Sequence, residues 1–181
     1  MRATTGVFID AEAAVDVLNS AVEYRATPSR TRRSPGLPNA LLESAIEDLS
    51  WPARRRLIGR CGKLVASLHG SSGELAQLLN SLSKELNLSV GVLRNEKKTW
   101  VRVLRAPTED PATVLLAAII STLVESVCED QRRRFRVCAA SDCSRTFFDS
   151  TKNLSRRYCA GRGCAERTNT TNFRLRKRTK T

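Results

Sequence analysis

Four of the six cysteines in this 181-residue chain fall between positions 138 and 164, spaced as Cys138-x4-Cys143, fifteen residues, then Cys159-x4-Cys164. Four thiols so close together can serve as disulfides, a redox centre or a metal site. The opening "MRATTGVFIDAEAAVD" holds three acids and no apolar run before a small-residue cleavage site, so it does not read as a signal peptide. A cytoplasmic, reducing location is therefore expected, and disulfides are rare there. A redox centre lacks the C-x-x-C pair that would suggest it. Two short cysteine loops joined by a longer connection are how a chain builds a zinc tetrahedron, and the x4 loops lie within the permitted spacing. Four unligated thiols among so many arginines would be thiolate-prone and reactive, a hazard that coordination removes.

With sulfur in all four positions the metal has no place for water, so one structural Zn2+ is expected, held by Cys138, Cys143, Cys159 and Cys164. The segment needs it. Its apolar content is little more than Phe135, Val137, Phe147, Phe148, Leu154, Tyr158, Phe173 and Leu175. Metal binding is worth about 10–16 kcal/mol in comparable small modules and would supply the missing stability.

Charge falls on the same segment. Residues 132–181 carry 15 Lys+Arg against 3 Asp+Glu, while residues 1–131 carry 16 against 15. A neutral body with a basic end points to a polyanionic partner, although a terminal charge run is often no more than a solvated face. A helix is predicted from the last cysteine onward, with Arg167, Thr171, Arg174 and Arg178 on one face and Phe173 off that face, anchoring the helix against the zinc core. Such a helix can enter a major groove. The expected DNA contacts are Arg145, Lys152, Arg156, Arg157, Arg167, Asn169, Arg174, Arg176, Lys177 and Arg178. Arg167 and Asn169 are expected to read bases, and the cations from Arg174 to Arg178 to meet phosphates.

The preceding chain reads as mostly helical. Val15, Leu18 and Val22 form one apolar stripe, and Leu41, Leu42, Ala45, Ile46 and Leu49 another, with the proline-rich loop "YRATPSRTRRSPGLPN" between them. Leu57, Ile58, Cys61, Leu64, Val65 and Leu68 predict a third helix over 52–68. Ser71-x-x-Glu74 has capping-box spacing and introduces Leu75, Leu78, Leu79, Leu82 and Leu86. The period then changes to two. Leu88, Val90 and Val92, the polar "RNEKK" and Trp100–Leu104 predict a hairpin. Asp110-Pro111 starts an apolar helix expected to run to Val127 and onward through "EDQRRRFR". The fold class is thus mainly α with a small β-hairpin (α+β). A helical domain over 1–133 precedes a small zinc finger with a basic terminal helix over 134–181.

Residues 136–178 resemble the CGNR zinc finger family. The likeness rests on Cys138-x4-Cys143, Phe148-Asp149-x-Thr151, Arg156-Arg157-Tyr158-Cys159, Cys164 and Arg167. Tyr158 stands where that family has Trp, and Ala165-Glu166 where it has Gly-Asn. "AVDVLNS", with Asp16 and Asn19, is similar to the opening of the ABATE domain that often precedes this finger. The resemblance implies a bacterial, stress-induced transcription regulator.

The remaining residues need no special role. His69 follows the third helix as a cap or surface residue, and Cys61 and Cys128 read as small buried hydrophobes. Asp16 and Asn19, three apart on one helix, are candidates for contact with a small-molecule effector. No nucleophile elbow, phosphate-binding loop or acid pair with histidine is present, so no enzymatic role is expected. The expectation is a zinc-dependent DNA-binding regulator whose N-terminal domain senses, dimerises or contacts other proteins. No membrane span is expected, and a homodimer fits the reading. The alternative is a non-regulatory module binding RNA or an acidic protein through the finger.

Overall fold

The computed structural model describes residues 9–26, 49–94, 98–160 and 162–178. Within them lie helices α1 (Ala11–Ala26), α2 (Trp51–Ser67) and α3 (Ser72–Glu85), strands β1 (Ser89–Arg94) and β2 (Trp100–Arg105), and helix α4 (Pro111–Cys128). A 3₁₀ turn (Arg132–Arg134), strands β3 (Phe135–Val137) and β4 (Thr146–Phe148) and helix α5 (Cys164–Arg178) follow. The chain divides into two units, Met1–Arg132 and Arg133–Thr181. The expected stripe over 41–48, the loop over 27–39 and positions 95–97 of the hairpin turn lie outside the described residues.

α4 is the core of the first unit. Asp110 caps it by accepting from the Thr113 N–H (2.9 Å), and Pro111 follows, where its missing N–H costs nothing. By length and composition alone this helix could cross a bilayer. Here Leu115, Leu116, Ile119, Ile120 and Leu123 are all buried, because α1, α3 and β2 pack around it. Two polar ties fix that packing: the Thr122 hydroxyl lies 2.7 Å from the Ile9 carbonyl, and the Leu104 N–H donates to Ser121 Oγ (3.1 Å).

α4 stops at Cys128, short of the predicted continuation. Asp130 adopts φ +53°, its N–H bonds the Val127 carbonyl (3.2 Å), and the Gln131 N–H bonds the Ser126 carbonyl (2.8 Å). This left-handed cap ends the helix before the arginines begin. α3 ends in the same way on Asn87 (φ 51°), and begins with the predicted capping box, in which Glu74 N–H bonds Ser71 Oγ (3.1 Å) and Ser71 N–H bonds Glu74 Oε2 (2.6 Å).

Two apolar assignments are corrected by the packing. α1 buries Ala14, Val17, Leu18 and Ala21, leaving Val22 exposed one position beyond the face; Val15 is also buried. Cys128 is exposed because it follows the last inward turn of α4. Cys61 is fully buried in α2, and burial pushes its thiol up to about 12, so it is an inert core residue.

The hairpin pairs antiparallel with Val90 opposite Leu104 and Val92 opposite Arg102. Val103 faces inward, while Val90, Val92 and Trp100 stay exposed. The Arg105 side chain crosses Gly91, where a Cβ would meet its Nε at 2.4 Å, and donates to the Val92 carbonyl (2.9 Å). A cation lying on a strand edge discourages further pairing.

In the second unit Phe135 and Phe148, opposite one another in the β3–β4 pair, meet edge to face with centroids 5.2 Å apart.

Ile119→Ala should destabilise the first unit by about 2–5 kcal/mol, whereas Val90→Thr should stay within about 0.5 kcal/mol. Both tryptophans, Trp51 and Trp100, lie in that unit. Denaturant unfolding followed by tryptophan fluorescence therefore checks both.

Candidate metal centre and nucleic-acid interface

Each cysteine is delivered by a short piece of backbone. Beyond β3, the Cys138 N–H bonds the Arg145 carbonyl (2.9 Å), and the Cys143 N–H closes a turn onto the Ala140 carbonyl (3.1 Å). The Ala139 N–H bonds the Arg157 carbonyl (2.9 Å), which draws the later loop in and sets the Cys159 N–H 3.5 Å from Cys138 Sγ. Gly163, at φ +59°, turns the chain so that Cys164 opens α5 with its thiol fully buried. Only glycine takes that backbone conformation freely.

The four sulfurs all lie within 4.8 Å of one another. Cys143 and Cys159 are 3.8 Å apart at Sγ, and Cys159 and Cys164 3.7 Å. Zinc–sulfur bonds of about 2.3 Å in a tetrahedron require edges of about 3.8 Å. The ionisation of the thiols points the same way. Burial opposes ionisation of Cys138, but the Ala140 and Cys159 N–H groups and the Cys143 and Cys159 thiols outweigh it and hold Cys138 below its ordinary value. Burial and the neighbouring sulfurs push Cys159 far up, and burial raises Cys143. A bound cation would favour the thiolate form of its ligands and offset this cost. Donor set and geometry fit one structural Zn2+, which would tie the two loops and the start of α5 together.

A buried carboxylate holds the frame around the sulfurs. Asp149 is fully buried and accepts from the Thr151 N–H (3.0 Å) and hydroxyl (2.5 Å), Arg136 Nη1 (3.2 Å) and the Arg156 N–H (3.0 Å). Burial works against its charge, yet these donors keep its carboxyl below the usual range, the Thr151 hydroxyl most of all. The same Arg136 nitrogen also reaches the carbonyls of Leu154 (2.7 Å) and Arg156 (2.9 Å), and Arg134 Nη1 reaches those of Asp149 (2.8 Å) and Thr151 (3.0 Å). Neither Arg134 nor Arg136 was among the expected site residues. Their signal was Asp149, one of three acids in a strongly basic segment.

The expected DNA contacts separate into two groups. Arg145 is buried, so it is out of reach of a phosphate backbone. Arg156 is half-buried; its Nε donates to the Tyr158 carbonyl (3.2 Å) and its guanidinium lies 5.3 Å from the centroid of the Phe147 ring. Arg167 bonds Asp142 Oδ2 through Nε (3.2 Å) and Nη2 (3.0 Å), donates to the Arg162 carbonyl, and sets Nη2 3.4 Å from Cys164 Sγ. It fastens α5 to the Cys138–Cys143 loop. Lys152, Arg157, Asn169, Arg174, Arg176, Lys177 and Arg178 are exposed. Phe173 is not anchored on the zinc core: it is 54 % exposed, with the Lys177 ammonium 5.1 Å from its ring centroid. After Thr168, which is half-buried, every residue of α5 from Asn169 to Arg178 is exposed. In the first unit Asn19 is buried and Asp16 exposed, so the two do not form one accessible pair.

A four-sulfur centre that fastens short loops to the first turn of a basic helix defines a zinc finger. Residues 134–177 match the CGNR zinc finger family. No curated protein matches the chain.

The full-length protein should carry one zinc, lose it in the Cys159→Ser, Cys164→Ser double variant, and keep it in Cys61→Ser and Cys128→Ser. Metal analysis decides. Asp149→Asn keeps every sulfur but leaves Arg136 without its counter-charge, and should cost the finger about 2–4 kcal/mol. Faster zinc transfer to a coloured chelator is the readout. Because the folded carboxyl is depressed, the Asp149 contribution is complete above about pH 4 and fades only as pH falls through that lower value. Zinc lost at higher pH therefore reports protonation of the sulfurs.

Proposed function

We propose that this protein is a zinc-dependent, DNA-binding transcription regulator. In this reading the finger meets duplex DNA, and the helical first unit senses a signal, dimerises or contacts other proteins. The observation that carries it is α5 itself. The metal centre holds only its first turn, and from Asn169 to Arg178 every residue is exposed, with four of the last five being cations. A helix of this composition gains little from standing alone in water, and a major groove would surround it with phosphate.

The aromatics favour duplex over single-stranded partners. Single-strand recognition uses several exposed rings for stacking, and in the finger Phe135 and Phe147 are buried, Phe148 and Tyr158 half-covered, and Phe173 is the one ring more than half exposed. The stress-related role and the ABATE-like character of the first unit follow from the resemblance in "AVDVLNS" and from the order of elements before the finger. A non-enzymatic role and a cytoplasmic location belong to the same proposal; of the expected effector pair only Asp16 is exposed, so an effector would meet α1 there and not at Asn19.

Binding of the zinc-loaded full chain to duplexes across a salt series is the test. Arg174→Ala and Arg178→Ala should each weaken binding to all sequences alike and reduce the slope of log affinity against log salt by about 0.9. Arg167→Ala should act differently, loosening α5 and releasing zinc faster. Unchanged salt slopes in both α5 variants would sink the proposal.

A further inference from the structure

The turn of α5 relative to the metal decides which side chains face away from the finger. Cys164 marks the inward side, with its thiol fully buried, and Thr168, one turn later, is half-buried on that side. At about 100° per residue, Phe173 lies nine positions on, directly opposite Cys164. Asn169, one turn before it, and Lys177, one turn after, flank it on the same outward face. The arginine stripe of Arg167, Thr171, Arg174 and Arg178 falls on the Cys164 side instead, where Arg167 is already bound to Asp142.

Phe173 is the feature the fold leaves unexplained. It is more than half exposed on an otherwise polar, cationic face, and no other ring in the finger is comparably open. It supports no core. Lys177, stacked over one side at 5.1 Å, limits how the ring can swing. Leu175 is also exposed, but two residues round the helix it lies on the metal side and does not share this face.

We propose that the outward face of α5 reads sequence, with Phe173 packing on the 5-methyl group of a thymine and Asn169 bonding an adjacent adenine. This rests on the duplex-DNA reading above and says which base-edge chemistry the helix seeks. The major groove offers one apolar group, the thymine methyl, and phenylalanine is among the side chains that contact it. Asparagine matches the donor and acceptor of adenine in the same groove. The cations on either flank, Arg174 and Arg176, have the reach and charge for the phosphate walls. Asn169 is the better held of the two readers, being one residue past Thr168, the last residue the finger covers.

The experiment uses the full-length zinc-loaded protein and a duplex selected from a randomised DNA pool, prepared again with uracil in place of each thymine in turn. Uracil differs only by the missing methyl. Burial of one such group is worth roughly a fourfold change in affinity. One thymine position should therefore show about a fourfold loss in the wild type. Phe173→Ala should bind the thymine duplex about fourfold more weakly and be indifferent to uracil at that position, while Phe173→Leu, still apolar, should keep the preference. Zinc content shows that each variant is folded. If wild type and Phe173→Ala lose equally on uracil, or no position responds, the methyl contact is overturned while DNA binding stands. If no duplex binds at any salt, the parent reading falls and this one with it. Phe173-dependent binding of uracil-containing single-stranded RNA, tighter than of any duplex, would show stacking instead and also overturn the contact.

Discussion

The second unit depends on four sulfurs being drawn to one cation. Its strands are three residues long, its aromatic contact is a single Phe135–Phe148 pair, and Cys164 alone is buried in α5. Those contacts could not hold the segment in shape, because so little apolar surface leaves water. Burial raises the Cys143 and Cys159 thiols, and the neighbouring sulfurs add to it at Cys159. A divalent ion offsets that cost, and every loop that carries a cysteine is then fixed by the same centre.

A metal with four thiolates is a net anion, and this explains where several arginines go. Arg167 places a nitrogen near the Cys164 sulfur while it grips Asp142. Arg136 and Arg134 are gathered by Asp149 and the carbonyls around it. With three acids against 15 cations in residues 132–181, internal partners are scarce. Arg134, Arg136 and Arg145 are drawn into the fold; Arg174, Arg176, Lys177 and Arg178 at the end of α5 are exposed and form a charged outer surface. The basic segment thus supplies both the frame around the sulfurs and an exposed cationic surface.

The first unit follows a different principle. It is held by burial, with α4 supplying an apolar centre that α1, α3 and β2 cover. Its polar ties, Thr122 to Ile9 and Leu104 to Ser121, set the angle of pieces already held by burial. Among the described residues, the outer face of the hairpin, with Trp100 72 % accessible, and Trp51 at the start of α2 stay outside that burial.

Local chemistry was legible in the residues alone. Cysteine spacing, the Ser71–Glu74 box, the Asp110-Pro111 helix start and the alternation around Val90 and Val92 each involve neighbours a few positions apart, so short-range geometry determines them. What the sequence left open depends on partners far along the chain. Val22 is exposed because the face of α1 is chosen by the helices that cover it, and α4 stops at Cys128 because a left-handed Asp130 closes a cap that no periodicity announces. Arg167, expected to read bases, also bonds Asp142, 25 residues earlier, a partner that no local pattern announces. Phe173 looked like an anchor because it is apolar, yet α5 leaves the finger before reaching it. Sequence by itself determined which atoms could bind a metal and where helices begin; only the tertiary structure decided which cations were left on the surface, because that depends on where the few carboxylates come to lie.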